Sequence, residues 1–303
     1  MPTLKEIKGR IGSVRSTLKI TSAMKLVSSA KLRKAQNAIA AMRPYQQRLE
    51  AMLRLVQGGI SPLASLGRND NEDGIVEAPA VIVAVASNSS LCGGFNANII
   101  SKVRSLRRSG DVVYSIGRKM ADAMARDGFR SPEDFSDLAE HPAYAKAAEL
   151  VQKLSEDFYA GRISGVTLVY THFVSTSRQV PVEERLLPMD EISPLASLGR
   201  NDNTPGPSPV ISSEVEKSLS DAILEPSARE LLEALIPKTL KLKLYAALLD
   251  SAAAEHAART IAMQTATDNA ENLLAELTLQ YNKGRQQKIT SEILDLAGGQ
   301  AAE

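Results

Sequence analysis

The chain has 303 residues, 44% hydrophobic and 23% charged, with a formal net charge of +1. That composition suits a globular chain of one large or two modest domains, and no run approaches the roughly 20 apolar residues of a membrane-spanning helix. The lone Cys92 excludes an internal disulfide and a multi-cysteine zinc site and fits a reducing compartment, while His141, His172 and His256 lack metal-ligand spacing.

Residues 1–10 are charged and periodic, without the apolar core or cleavage site of a signal peptide. From Leu4 the apolar residues keep a heptad: Leu4, Ile7, Ile11, Val14, Leu18, then the polar Thr21, Lys25 and Ser28. The register resumes at Leu32, Ala35, Ile39 and Met42, and runs through Gln46, Leu49, Leu53 and Val56. Alternating steps of three and four predict one continuous helix in a left-handed coiled coil. At ~1.5 Å per residue it would be roughly 80 Å long. Pro44 is expected to kink it. Residues 1–36 carry nine Lys or Arg against a single acid, Glu6. Such a face is ordinarily solvated, and it could also meet nucleic acid, anionic lipid or an acidic protein partner. Nucleic acid is disfavoured, because stacking aromatics and a nucleic-acid motif are both missing.

The dodecapeptide ISPLASLGRNDN occurs twice without a difference, at 60–71 and 192–203. Pro, Gly and the Asn-Asp-Asn run favour turns. Two distant copies with unlike flanks predict loop insertions rather than a repeat architecture.

Between the copies, AVIVAVA (80–86) reads as a strand buried on both faces. After the loop SNSSLCGG, a helix is predicted over 95–109, a strand over 111–117 and helices over 118–127 and 143–159. Strands follow at 165–173 and 177–188, the last at an edge because of Pro181. This alternation predicts a mostly parallel, Rossmann-like sheet. Gly93 and Gly94 form neither G-x-G-x-x-G nor a P-loop, so a tight turn explains them better than a phosphate cradle. With no base beside it, Cys92 reads as structural. Nothing in the sequence looks catalytic.

From Lys238 to Ala297 there is no Pro and one Gly, Gly284. Leu242, Tyr245, Leu249, Ala252, Met263, Ala266, Ala270, Leu273 and Leu277 keep heptad spacing, interrupted at His256 and Arg259. Pro237 is expected in this helix's first turn. The fold class is therefore α/β plus a long antiparallel coiled coil, with the Rossmann-like domain between the terminal helices. Two separate amphipathic helices of a bundle are the other packing the pattern allows. The expected boundaries are 1–58 for the N-terminal helix, 77–190 for the α/β domain and 213–303 for the C-terminal helical region. Loop insertions occupy 59–76 and 191–212.

Several stretches together resemble the gamma subunit of F-type ATP synthases. They are LKEIKGRIGSVRSTLKITSAMKLVSSAKLRKAQ, SLCGGFNANI, QVPVEERLLP, EHAARTIAMQTATDNAENLL and YNKGRQQKITSEIL, in the family's order. SNSSLCGGFNANI and LIPKTLK are most similar to Bacteroidetes-type bacterial members. The resemblance implies a non-catalytic rotor shaft inside a ring of alternating alpha and beta subunits. Its asymmetry would impose different conformations on the nucleotide sites of the beta subunits. The implied partners are alpha, beta, epsilon and the c-ring, with ATP bound on beta and no cofactor or membrane span of its own. The implied location is peripheral, at the cytoplasmic face of the bacterial inner membrane. Carried over by motif, Met24 in TSAMKLV would pass acidic loops of beta. Arg285, Gln286, Thr290 and Glu292 in GRQQKITSE would make the upper polar contacts to the ring. Gly284 stands where the family usually has Ala, as does Gln300. The alternative reading is a coiled-coil scaffold with a non-catalytic α/β domain.

Overall fold

The computed structural model describes residues 3–58, 78–188 and 227–300; both copies of the repeated dodecapeptide lie outside them. The chain divides into two compact units, Met1–Ser29 with Arg259–Glu303, and Ala30–Ala258. The helices α1 (Leu4–Gly58) and α6 (Ala228–Gln300) contribute to both.

In the first unit α1 opens on a capping box. The Thr3 N–H donates to Glu6 Oε2 at 3.0 Å and the Glu6 N–H to Thr3 Oγ1 at 3.3 Å, satisfying two donors that the helix itself leaves open. The heptad positions Ile7, Ile11, Val14, Leu18, Thr21 and Ser28 are buried or half-buried. On α6 the seam runs through Met263, Thr267, Ala270, Leu274, Leu277, Tyr281 and Gly284. This departs from the register expected from sequence, since Leu273 is 45% exposed. Two consecutive four-residue steps, Arg259 to Met263 to Thr267, replace the three-four alternation there. A straight helix with 3.6 residues per turn drifts against a 3.5 repeat, and an added residue restores the seam.

The second unit is built on a four-stranded sheet, β1 (Ala80–Val85), β2 (Val112–Ile116), β3 (Gly165–Phe173) and β4 (Gln179–Leu187), in the order β2-β1-β3-β4. β1 runs parallel to β2 and β3, and β4 pairs antiparallel with β3. Pro181 on this edge strand removes no bond from a central ladder. Side chains alternate across the sheet. Ile82 and Ala84 pack beneath α2 (Phe95–Leu106) and α3 (Arg118–Arg126) through Ile99, Val103, Met120 and Met124. Val81, Val83 and Val85 pack on the opposite face against α5 (Tyr144–Tyr159) and α6 through Leu150, Leu154, Leu240 and Leu244. A short helix, α4 (Ser136–Glu140), which the periodicity did not predict, adds Leu138 to that side.

Helix α6 starts earlier than expected. The Ser227 hydroxyl accepts the Glu230 N–H at 3.2 Å, a side-chain cap of the first turn, so Pro237 lies inside the helix. An internal proline costs ~3 kcal/mol. Packing of Leu231, Leu232, Leu235 and Ile236 around Leu53 and Val56 of α1 offsets it. Pro44 likewise lies inside α1. Between 239 and 257 α6 is buried on nearly every side. Its alanines allow the close approach: Ala253 and Ala257 meet Leu32 of α1, and Ala254 meets Phe95 and Cys92.

Candidate functional site

A doubly wound sheet binds ligands beyond the C-terminal ends of its strands, where the strand order reverses. That point lies between β1 and β3, because β2 and β3 flank β1 on opposite sides. Here the crevice is filled: Cys92, Phe95 and Phe173 pack against Ala254 and Ala258 of α6. The loop that would have to open for a phosphate is tied to Asn96. Its side-chain oxygen accepts the Ser87 N–H at 3.1 Å, and its Nδ2 reaches Ser87 Oγ at 2.8 Å and Cys92 Sγ at 3.1 Å. Gly93, at φ +57, makes the tight turn. Cys92 is 1% exposed, as suits a packing residue.

The same end of β3 is fastened to α6 by polar groups. Asp250 Oδ2 lies 2.6 Å from His172 Nδ1, and its Oδ1 accepts the Phe173 N–H at 3.1 Å. Burial pushes the Asp250 carboxyl above the usual carboxylate range, against the lowering effect of these two partners. Burial also pushes the Tyr170 phenol up, reinforced by Glu184 and Asp250.

The sequence-predicted contact residues lie in the first unit and do not form one cluster. Thr267 faces Thr21, and Gly284 faces Leu4. Met24 is therefore about 30 Å along the hairpin from Arg285, at ~1.5 Å per residue. Met24 is half-buried; Arg285, Gln286, Thr290 and Glu292 are exposed. The Thr290 hydroxyl donates to the Gln286 carbonyl at 3.0 Å, and Glu292 sits 3.5 Å from Lys288 one turn away. Among the described residues the side chains of Arg285 and Gln286 make no hydrogen bond or ion pair, leaving their donors open to another surface.

Apolar neighbours that the motif alone did not single out accompany both places. Ile20, Leu26 and Val27 are 60%, 70% and 57% exposed beside Met24, and Leu279, Ile289 and Ile293 are 71%, 48% and 60% exposed around Gln286. Their signal in the sequence is an apolar residue off the heptad. Gln286, Ile289 and Ile293 are spaced to share one helix face. Clustered exposed apolar side chains mark an interaction surface. Of the nine cations in residues 1–36, Lys31 alone makes an ion pair among the described residues, with Glu140 at 3.7 Å.

The family described as ATP synthase matches residues 3–302. The ATP synthase gamma chain of Phocaeicola vulgatus is 44% identical over 309 aligned residues, covering 100% of both chains.

The chain belongs to the ATP synthase gamma chain family.

The gamma chain of Flavobacterium johnsoniae is 37% identical over 100% of this chain and 99% of its own length. In fold, the chain is similar to one in the Euglena gracilis mitochondrial ATP synthase OSCP/F1/c-ring structure, at a TM-score of 0.63 and 16% identity. That match covers 99% of this chain and 94% of the other. A chain of the Tetrahymena thermophila central stalk/c-ring structure matches at a TM-score of 0.55 and 23% identity, over 82% and 99%. As a gamma chain, the protein is a central-stalk rotor subunit of F-type ATP synthase without catalytic sites of its own. Among the described residues no helix is long and apolar enough to cross a membrane.

Proposed function

We propose that the end of the α1–α6 hairpin turns within a ring of alternating alpha and beta subunits. Its rotation imposes a different conformation on each beta nucleotide site and so drives ATP release. Arg285, Gln286, Thr290 and Glu292 make the polar contacts to that ring, and Met24 passes acidic loops of beta. The α/β domain meets the epsilon subunit and the c-ring, so that proton-driven turning of the c-ring reaches the hairpin. The complex sits peripherally at the cytoplasmic face of the bacterial inner membrane.

The observation that carries this reading is the bare polar and apolar surface of the hairpin. Among the described residues Arg285 and Gln286 keep unsatisfied side-chain donors beside exposed Leu279, Ile289 and Ile293, a pattern a self-contained scaffold has no use for. The cations of residues 1–36 other than Lys31, which make no ion pair among the described residues, complement acidic loops. The Arg guanidinium is a planar fork suited to carboxylates, and removing one partner of a buried charged hydrogen bond costs ~2–5 kcal/mol. The double change Arg285→Ala with Gln286→Ala is expected to lower complex yield or proton-driven ATP synthesis while leaving the chain's helicity unchanged. Equal yield and equal synthesis in variant and parent would remove both residues from the interface.

A further inference from the structure

The apolar contact between α6 and the sheet, made by Leu240, Leu244, Ala247 and Leu248, is non-directional. It opposes separation of helix and sheet, but it resists slip of one over the other far less than bonds with fixed geometry do. Torque carried along a helix loads this contact in shear. Two polar junctions interrupt the apolar face. At the first, Lys243 Nζ lies 2.9 Å from Glu184 Oε1 and donates to the Arg185 carbonyl at 3.1 Å. At the second, Asp250 holds His172 Nδ1 at 2.6 Å and the Phe173 N–H at 3.1 Å. Lys243 and Asp250 are seven residues apart, two turns of α6, so both face the β3–β4 hairpin about 10 Å from each other.

We propose that these two junctions form a clamp that carries torque between the α/β domain and the shaft helix, with Lys243, Asp250, Glu184 and His172 as positioning residues for coupling. The charges alternate: a cation then an anion along α6 meet an anion and an imidazole on the hairpin. A slip of two turns would bring Lys243 opposite His172 or Asp250 opposite Glu184, so the pattern opposes sliding as well as separation. The Lys243 and Glu184 side chains are only 13% and 22% exposed, and those of Asp250 and His172 4% and 12%. Solvent therefore screens neither junction fully. Tyr170 bridges the interval, its hydroxyl donating to Glu184 Oε2 at 3.4 Å. The inference rests on the proposed contact of the α/β domain with the c-ring.

The test uses the complete ATP synthase in vesicles, with a probe on the α/β domain for single-molecule rotation. The variants are Lys243→Met with Asp250→Asn together, Asp250→Asn alone, Lys243→Glu alone, and the exchange Lys243→Glu with Glu184→Lys. The double variant is expected to lose at least about half of the torsional stiffness between probe and ring, because directional charge-assisted bonds are replaced by neutral contacts. ATP synthesis at low proton-motive force should fall several-fold, with the rate of ATP hydrolysis by the detached catalytic portion unchanged. The exchanged pair should recover stiffness relative to Lys243→Glu alone, which sets two carboxylates opposite each other at the first junction. Parent-like stiffness and synthesis in the double variant would overturn the clamp, as would failure of the exchange to recover either. Should the double variant not assemble, the near-isosteric Asp250→Asn decides alone: parent-like stiffness there also overturns it. A parent complex whose probe does not turn on ATP addition would instead defeat the rotor arrangement on which the clamp depends.

Discussion

Thr267 Oγ1 lies 3.0 Å from Thr21 Oγ1 inside the seam between α1 and α6, both hydroxyls buried. Each is also bonded within its own helix, Thr21 to the Leu18 carbonyl at 3.1 Å and Thr267 to the Met263 carbonyl at 2.8 Å. A polar pair in an apolar seam favours one register over others, because a slipped helix would leave a buried hydroxyl facing apolar atoms. The single change Thr21→Val or Thr267→Val should destabilise by ~1 kcal/mol, while replacing both together should cost less than the two singles summed. Thermal melts of the three variants check this, and strict additivity would mean that the pair is not coupled.

The raised pKa of Asp250 gives a signed pH dependence. A carboxyl whose folded pKa lies above its unfolded value favours the fold most when protonated. That contribution is complete below the ordinary value of 3.8 and is lost as pH rises through the raised folded value. Asp250→Asn resembles the protonated form and does not titrate. Its melting temperature should therefore gain on the parent's as pH rises from about 4 toward neutrality. A difference that stays flat across that range would show that burial does not penalise the ionised carboxylate.

Gly117 stands at φ +102, and a Cβ there would lie 2.2 Å from the Ala86 carbonyl oxygen. The close approach is what lets the end of β2 turn into α3 beside β1. Gly117→Ala should cost about 3 kcal/mol or more, since both the left-handed backbone and the collision oppose it. Gly128, at φ +88 with nothing within 4 Å of its Cβ position, isolates the backbone effect alone. Gly128→Ala should cost only ~1–2 kcal/mol. Denaturant midpoints of the two variants compare them directly; equal losses would remove the collision from the account.

A Cβ on Gly284 would meet Leu4 Cδ2 at 3.2 Å, the movable end of a flexible side chain. Gly284→Ala should stabilise the hairpin by up to ~1 kcal/mol, the helix-propensity gain reduced by whatever the Leu4 adjustment costs. A higher melting temperature for this variant is the expected result, and a lower one would show that Leu4 cannot move.

Much of the secondary structure is legible because it rests on local rules. The α1 seam can be read residue by residue from its spacing, and the strand limits of β1, β2 and β3 follow from apolar runs bounded by Gly, Ser and Asp. Pro181 signals an edge through its missing N–H. Other features depend on what lies across a contact. Leu273 satisfies the heptad yet is exposed, because the added step at Thr267 rotates the helix. The start of α6 depends on Ser227 and on the packing of Leu231 and Leu232 against Leu53, which together overrule the proline signal. The five-residue α4 is too short to show a period. Arg285 and Gln286 came from a family motif, whereas the exposed apolar side chains around them became informative only once the seam defined which face was outside.

Periodicity, turn residues and motif order therefore determine the two long helices, the α/β alternation and membership of the family, because each is written in near-neighbour spacing. The filled crevice and the His172–Asp250 junction belong to the tertiary structure. His172 and Asp250 are separated by 78 positions, and nothing local to either residue names the other. Only the folding of α6 across the end of β3 withdraws both from water. Burial then makes the carboxylate costly to ionise, and geometry gives it an imidazole and a backbone N–H as partners.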